Sequence, residues 1–170
     1  MSRPIEGTFH PLYQQRYIDA AKGNTIDELI ANHSNELAEF FLSIPEEKAD
    51  YSYAEGKWTV KQLLQHIIDT ERIFSFRALC FSRNEHLPLP GFDEDSYARN
   101  APATHRTLTS LQDEFILVRK STDALLSSFT EEQLSKKGVA SNYVVTVNAL
   151  CFIIFGHIVH HQNILQERYL

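Results

Sequence analysis

The sequence predicts an all-α fold, a four-helix bundle with a short extra helix near its N-terminus. Three observations carry this. Four stretches of about 19 to 26 residues place apolar side chains at helical spacing. Strand-type residues concentrate in Tyr143–Val147, a short run that leads into the last helical pattern. Pro45, Pro88, Pro90, Gly91 and Gly138 fall between the helical stretches. No repeat, low-complexity tract or linker divides the chain. The expectation is one domain over residues 1–170, with an N-terminal extension at 1–23 and the bundle at 24–170.

A short amphipathic piece spans about residues 12–21 and ends before Gly23. The first long helix covers about residues 25–43, with Asn24 or Thr25 as cap and Asp27 and Glu28 in its first turn. Ile26, Leu29, Ile30, Leu37, Phe40, Phe41 and Ile44 form its stripe, and Pro45 stops it. The second runs over about 58–83, with Val60, Leu63, Leu64, Ile67, Phe74, Ala78 and Phe81 inward. A loop follows, in which Asp93 can cap a short turn through Tyr97. The third covers about 107–129 and the fourth about 146–169. The connections at 85–106 and 130–145 exceed the usual short bundle loops, and long loops in compact domains often carry function.

Composition narrows the function classes. Hydrophobic residues make up 43% and charged residues 22%, which is globular composition. Sixteen basic and 22 acidic residues give a net charge of −6, and no basic cluster marks a nucleic-acid footprint. The longest apolar run, about 147–159, is interrupted by Asn148 and His157 and is shorter than the ~20 residues of a membrane span. The start of the chain lacks the apolar core of a secretory signal. Cys80 and Cys151 form no CxxC pair or disulfide framework, and both read as packing residues. The expectation is a cytoplasmic protein that binds neither nucleic acid nor membrane.

Eight histidines stand out, three of them within five residues. His157 and His161 are one turn apart on the apolar face of the last helix. Two imidazoles so placed can share a metal ion, or can be core histidines satisfied by hydrogen bonds. His66 lies at the edge of the second helix's apolar arc, where antiparallel packing could bring it to that pair. Three imidazoles with a vacant position would make a catalytic type of site. His160 points about 100° away from His161 and suits a pocket position. His33 falls on the first helix's stripe and reads as a core histidine with one hydrogen bond. Glu71 sits in an apolar arc, where a buried carboxylate wants a cation. Arg119, on the inner side of the third helix, is the expected partner; the other reading makes Glu71 a general base.

The residues also resemble a family. Trp58-Thr59-Val60-Lys61 followed by His66, Asp69 and Glu71 resembles the second helix of the DinB/YfiT-like superfamily. Leu89-Pro90-Gly91-Phe92-Asp93-Glu94-Asp95-Ser96-Tyr97 resembles the loop after it, and Gly156-His157-Ile158-Val159-His160-His161 resembles that superfamily's last-helix HxxxH. The likeness covers roughly residues 24–170. It implies an up-down-down-up bundle, often a homodimer. It implies a divalent metal, zinc or nickel, on His66, His157 and His161, with His160, Asp69 and Glu71 around it or in the pocket. Some members use a low-molecular-weight thiol, such as bacillithiol, mycothiol or glutathione.

Two classes of function follow. In the first, a metal-dependent enzyme activates such a thiol against a small electrophilic substrate, or activates water for hydrolysis. Neither cysteine is near enough to serve, so a thiol would come from solution, past a mouth shaped by Pro88, Pro90 and Gly91. Arg72, Arg77, Arg83 and Arg99 are scattered candidates for its carboxylates. In the second, the ion stabilises a non-enzymatic stress-response module.

Overall fold

The computed structural model describes residues 1–4 and 10–170. After a 3-10 turn at Leu12–Gln14 come α1 (Gln15–Ala20), α2 (Ile26–Leu42), α3 (Val60–Ser82), α4 (Glu94–Asn100), α5 (Leu108–Ser127) and α6 (Glu131–Ser135). A hairpin of β1 (Lys137–Ala140) and β2 (Tyr143–Thr146) leads into α7 (Val147–Arg168). The four long helices are α2, α3, α5 and α7. Each starts on a threonine whose hydroxyl accepts a backbone N–H: Thr25, Thr59, Thr107 and Thr146. At α3 the cap is reciprocal, because Gln62 accepts from the Thr59 N–H.

Around the bundle, α3 packs against α5 and α7, and α2 packs against the same two. Cross-helix contacts fix the directions. His66 meets His157 and Tyr169 reaches Trp58, so α3 and α7 are antiparallel. Glu71 pairs with Arg119 and Ser75 with Thr122, so α3 and α5 are parallel. Gln112 donates to the Phe41 and Ile44 carbonyls, where the end of α2 meets the first half of α5; this pair is antiparallel. The order is up-down-down-up. A parallel neighbour demands a return along the whole of α3, about 34 Å for 23 residues. The segment 83–107 makes that return and carries α4 on the way.

Two features depart from the sequence reading. The run at Tyr143 is a true strand, paired in register with Lys137–Ala140. Periodicity could not show this, because the partner strand supplies the hydrogen bonds. Ser141 and Asn142, both at positive φ, make the tight turn. Gly138 is required there: a Cβ would come within 2.2 Å of the Phe81 ring. Leu89 adds a short third pairing to the hairpin edge. The second departure is α1, which is no mere extension. Ile18 and Ala21 are fully buried, and α1 lies against α7 so closely that a Cβ on Gly156 would meet the Tyr17 carbonyl at 1.6 Å. The Arg3 guanidinium secures the end of α1 by donating to the Ile18, Ala21 and Gly23 carbonyls.

Candidate metal centre

The antiparallel α3–α7 contact brings together three histidines from distant parts of the chain. His66 lies two turns into α3, and His157 and His161 sit one turn apart on α7. His157 Nε2 is 3.1 Å from His66 Nε2 and 3.1 Å from His161 Nε2. All three rings are buried, and one nitrogen from each falls within 4.8 Å of the others. A ring nitrogen has a single in-plane site, as donor or acceptor. His157 Nε2 therefore cannot satisfy both neighbours by hydrogen bonding. Three nitrogens at bonding distance from one tetrahedral ion stand about 3.3 Å apart. The donor set and its spacing fit such an ion.

The electrostatics agree. Burial pushes the His66 pKa down to about 4, although the charge of Asp95 favours its protonation. Burial, then the neighbouring imidazoles, hold His157 and His161 well below the ordinary histidine range. At neutral pH all three are uncharged and keep a lone pair to donate. Thr70 Oγ1 stands 3.5 Å from His66 Nδ1, and His161 Nδ1 is buried with no partner among the described residues.

The surroundings differ in part from expectation. His160 is half-buried, with its ring 5.5 Å from Tyr17 and 5.1 Å from His161, at the margin of the cluster. Asp69, one turn along α3 from His66, accepts from Gln65, which also accepts from Arg106. Glu71 is turned about 140° around the helix from His66. Its Oε1 accepts from Arg119 at 2.7 Å, with both side chains buried, as the apolar arc predicted. His33 accepts from the Lys22 N–H at 2.7 Å, the single bond expected of it. Asp93 caps α4, accepting from the Ser96 N–H.

Other residues at the site had not been singled out for it. The Trp58 ring lies 4.8 Å from that of His66, and Tyr17 of α1 lies 5.4 Å from His157. Arg16 is the cation whose charge disfavours protonation of His157, His160 and His161. Arg77 is tied to the Pro90 carbonyl and Ser141, and Arg72 to Glu114. No periodicity could have signalled Tyr17 and Arg16, because their place depends on where α1 docks. Trp58, eight residues before His66, was visible as part of a motif.

A cleft of about 390 Å³ opens beside the cluster, lined by Tyr53, Lys57, Trp58, Asp95, His161 and Tyr169 among others. Pro90 and Gly91 border a different hollow of about 280 Å³, with Phe76 and Phe92, so they do not shape this mouth. The loop instead reaches the cleft through Asp95 of α4. Cys151 is buried and burial pushes its thiol pKa up; burial raises that of Cys80 as well. Neither is among the residues around the cluster. No helix among the described residues is long and apolar enough to cross a membrane.

Comparison with known proteins gives the family and the fold. A protein of Oceanobacillus iheyensis, named as a candidate metal-dependent hydrolase, is 26% identical over 136 residues, covering 78% of this chain and 76% of that protein. Among solved structures, YfiT of Bacillus subtilis, described as a candidate metal-dependent hydrolase with an unusual four-helix bundle topology, superposes with a TM-score of 0.71. It shares 15% identity, over 98% of this chain and 91% of that one. A DinB-like protein of Bacillus subtilis gives a TM-score of 0.58 at 24% identity, over 84% and 86% of the two chains. The family model of the DinB superfamily matches residues 29–165, from the first turn of α2 to the last turn of α7, and the chain belongs to that superfamily.

Proposed function

We propose that the protein is a metal-dependent enzyme that transfers a low-molecular-weight thiol to a small electrophilic substrate. The observation that carries this reading is the meeting of three neutral imidazole nitrogens beside an open cleft. His66, His157 and His161 would hold one divalent ion, zinc or nickel, through Nε2. A divalent ion bound there lowers the pKa of a thiol or water in its remaining position. The protein's own residues do the rest. The α3–α7 contact fixes the three rings on rigid helices. Tyr17 and Trp58 cover the cluster from two sides and exclude bulk water from it. Asp95 stands on the wall of the cleft that His161 also lines.

Hydrolysis is the second reading. It needs only water in place of the thiol, and the Oceanobacillus and Bacillus relatives are named for hydrolysis. The reading extends to a cytoplasmic homodimer acting on small molecules. Exposed Phe76, Leu87 and Leu117 support pairing, and light scattering tests it.

Metal analysis of untagged protein, then conjugation of a general electrophile with glutathione, bacillithiol or mycothiol, tests the main reading. Metal-loaded protein should consume thiol faster than chelator-treated protein or the His66→Ala variant. Equal rates would overturn thiol transfer, and ester or amide cleavage lost in His66→Ala would then establish hydrolysis.

A further inference from the structure

The cleft beside the histidines has an unusual lining for its size. Aromatic Tyr53, Trp58 and Tyr169 line it, together with Leu63 and Ile164. The walls are fixed in place. The Tyr169 hydroxyl donates to the Trp58 carbonyl at 2.9 Å, Arg168 donates to the Tyr53 hydroxyl, and the Tyr53 and Tyr169 rings meet edge to face with centroids 5.0 Å apart. Burial, aided by the neighbouring Tyr53, pushes the Tyr169 pKa up to about 12, so its hydroxyl keeps the proton it donates.

On these walls stand two opposite charges, Asp95 and Lys57. Both are exposed, and neither has an ion-pair partner among the described residues. Other cations nearby are occupied: Arg168 is held by Tyr53, and Lys61 by Asp50. Asp95 marks the histidine end, since its charge acts on His66. One negative and one positive group, neither ion-paired among the described residues, on a cleft that aromatic rings also line, complement a small molecule that carries an ammonium and a carboxylate together. The aromatic faces add attraction for the ammonium.

We infer that the cleft is built for a zwitterionic, amino-acid-like ligand, with its ammonium on the Asp95 carboxylate, its carboxylate on the Lys57 ammonium, and its side chain directed at the histidines. This rests on the proposed function and names the class of its thiol: one that keeps an α-ammonium and an α-carboxylate free, as L-cysteine does and as the γ-glutamyl end of glutathione does. Neither charge makes or breaks a covalent bond in this role. Each is a specificity determinant.

Three thiols separate the parts: L-cysteine, cysteamine, which lacks the carboxylate, and 3-mercaptopropionate, which lacks the ammonium. Calorimetric titration of cobalt-loaded protein gives their affinities. The thiolate-to-cobalt absorption band independently reports whether sulfur reaches the metal. L-cysteine should bind about tenfold more tightly than either truncated thiol, the size expected for one charge-assisted contact. In Asp95→Asn the preference over 3-mercaptopropionate should vanish while that over cysteamine persists. Lys57→Gln should show the reverse. Both positions are exposed, so the variants should fold as the parent does. Equal affinities for the three thiols, or preferences unchanged in both variants, would overturn the inference, even if every thiol gave the cobalt band and so supported thiol binding. The expected preferences without any band would uphold the zwitterion site and overturn the thiol reading.

Discussion

Helix α3 carries two buried polar centres five residues apart, and they are solved in opposite ways. Towards α5, Glu71 meets Arg119, which also bonds Asp123 and lies over the Phe155 ring at 4.5 Å. Charge meets counter-charge within the chain, with Glu71 Oε2 and Arg119 Nε left buried without a hydrogen-bond partner among the described residues. Towards α7, His66 meets two more imidazoles, three like groups with lone pairs converging and no counter-charge among them. Burying polar groups without partners costs stability, so a fold tolerates the second arrangement at a cost that a ligand can offset. The contrast separates a polar group that serves the fold from a polar cluster suited to a ligand, although both sit buried on one helix.

The largest effect is expected from breaking the first centre. Glu71→Ala leaves the Arg119 charge buried beside Asp123 alone and should cost about 3–5 kcal/mol in denaturant unfolding. The pair Glu71→Leu with Arg119→Met should recover most of that loss, because it removes both charges together. Next comes the second centre. Zinc at about a hundred times its dissociation constant should add about 2.7 kcal/mol to the unfolding free energy of the parent, and nothing to that of His157→Ala. Retention of full metal occupancy by His157→Ala would remove the basis for the contrast.

A smaller effect is expected at the seat of α1, which covers the histidines but not the ion pair. Gly156→Ala would gain helix propensity, yet its Cβ has no room beside the Tyr17 carbonyl. A loss of about 1–3 kcal/mol, with faster amide exchange in α1 and no change at Glu71, is the expected outcome. Smallest per step is the response to acid. In metal-free protein the folded His66 pKa is about 4, below the unfolded value of 6.5. Between these values the unfolded chain binds more protons. Stability is therefore full above about pH 6.5 and falls with pH, by up to about 1.4 kcal/mol per unit for each such histidine. Thermal melts from pH 7 to 5 should show that slope, and it should be shallower in His66→Ala.

Much of this was legible in the chain. The four amphipathic stretches became α2, α3, α5 and α7, with starts within about two residues, because threonine caps and apolar spacing are local signals. The Glu71–Arg119 pair was legible because a carboxylate in an apolar arc narrows its own choice of partner. The HxxxH of α7 put two imidazoles on one face by helix geometry alone. Asp69 shows the limit: its place in a motif said nothing of the Gln65 amide it accepts from, which Arg106 holds in turn.

The sequence by itself determined the helices, their inward faces and the two residues of α7 that share a turn, since each follows from a repeat of 3.6 residues and from caps beside it. Only the tertiary structure decided that α3 meets α7 antiparallel at His66, that Tyr17 covers the cluster, and that Lys57 and Asp95 face one cleft. Those placements depend on which helix faces fill each other without voids and on how closely two backbones can approach, as at Gly156. Side chains distant in the chain meet only once that packing has been chosen.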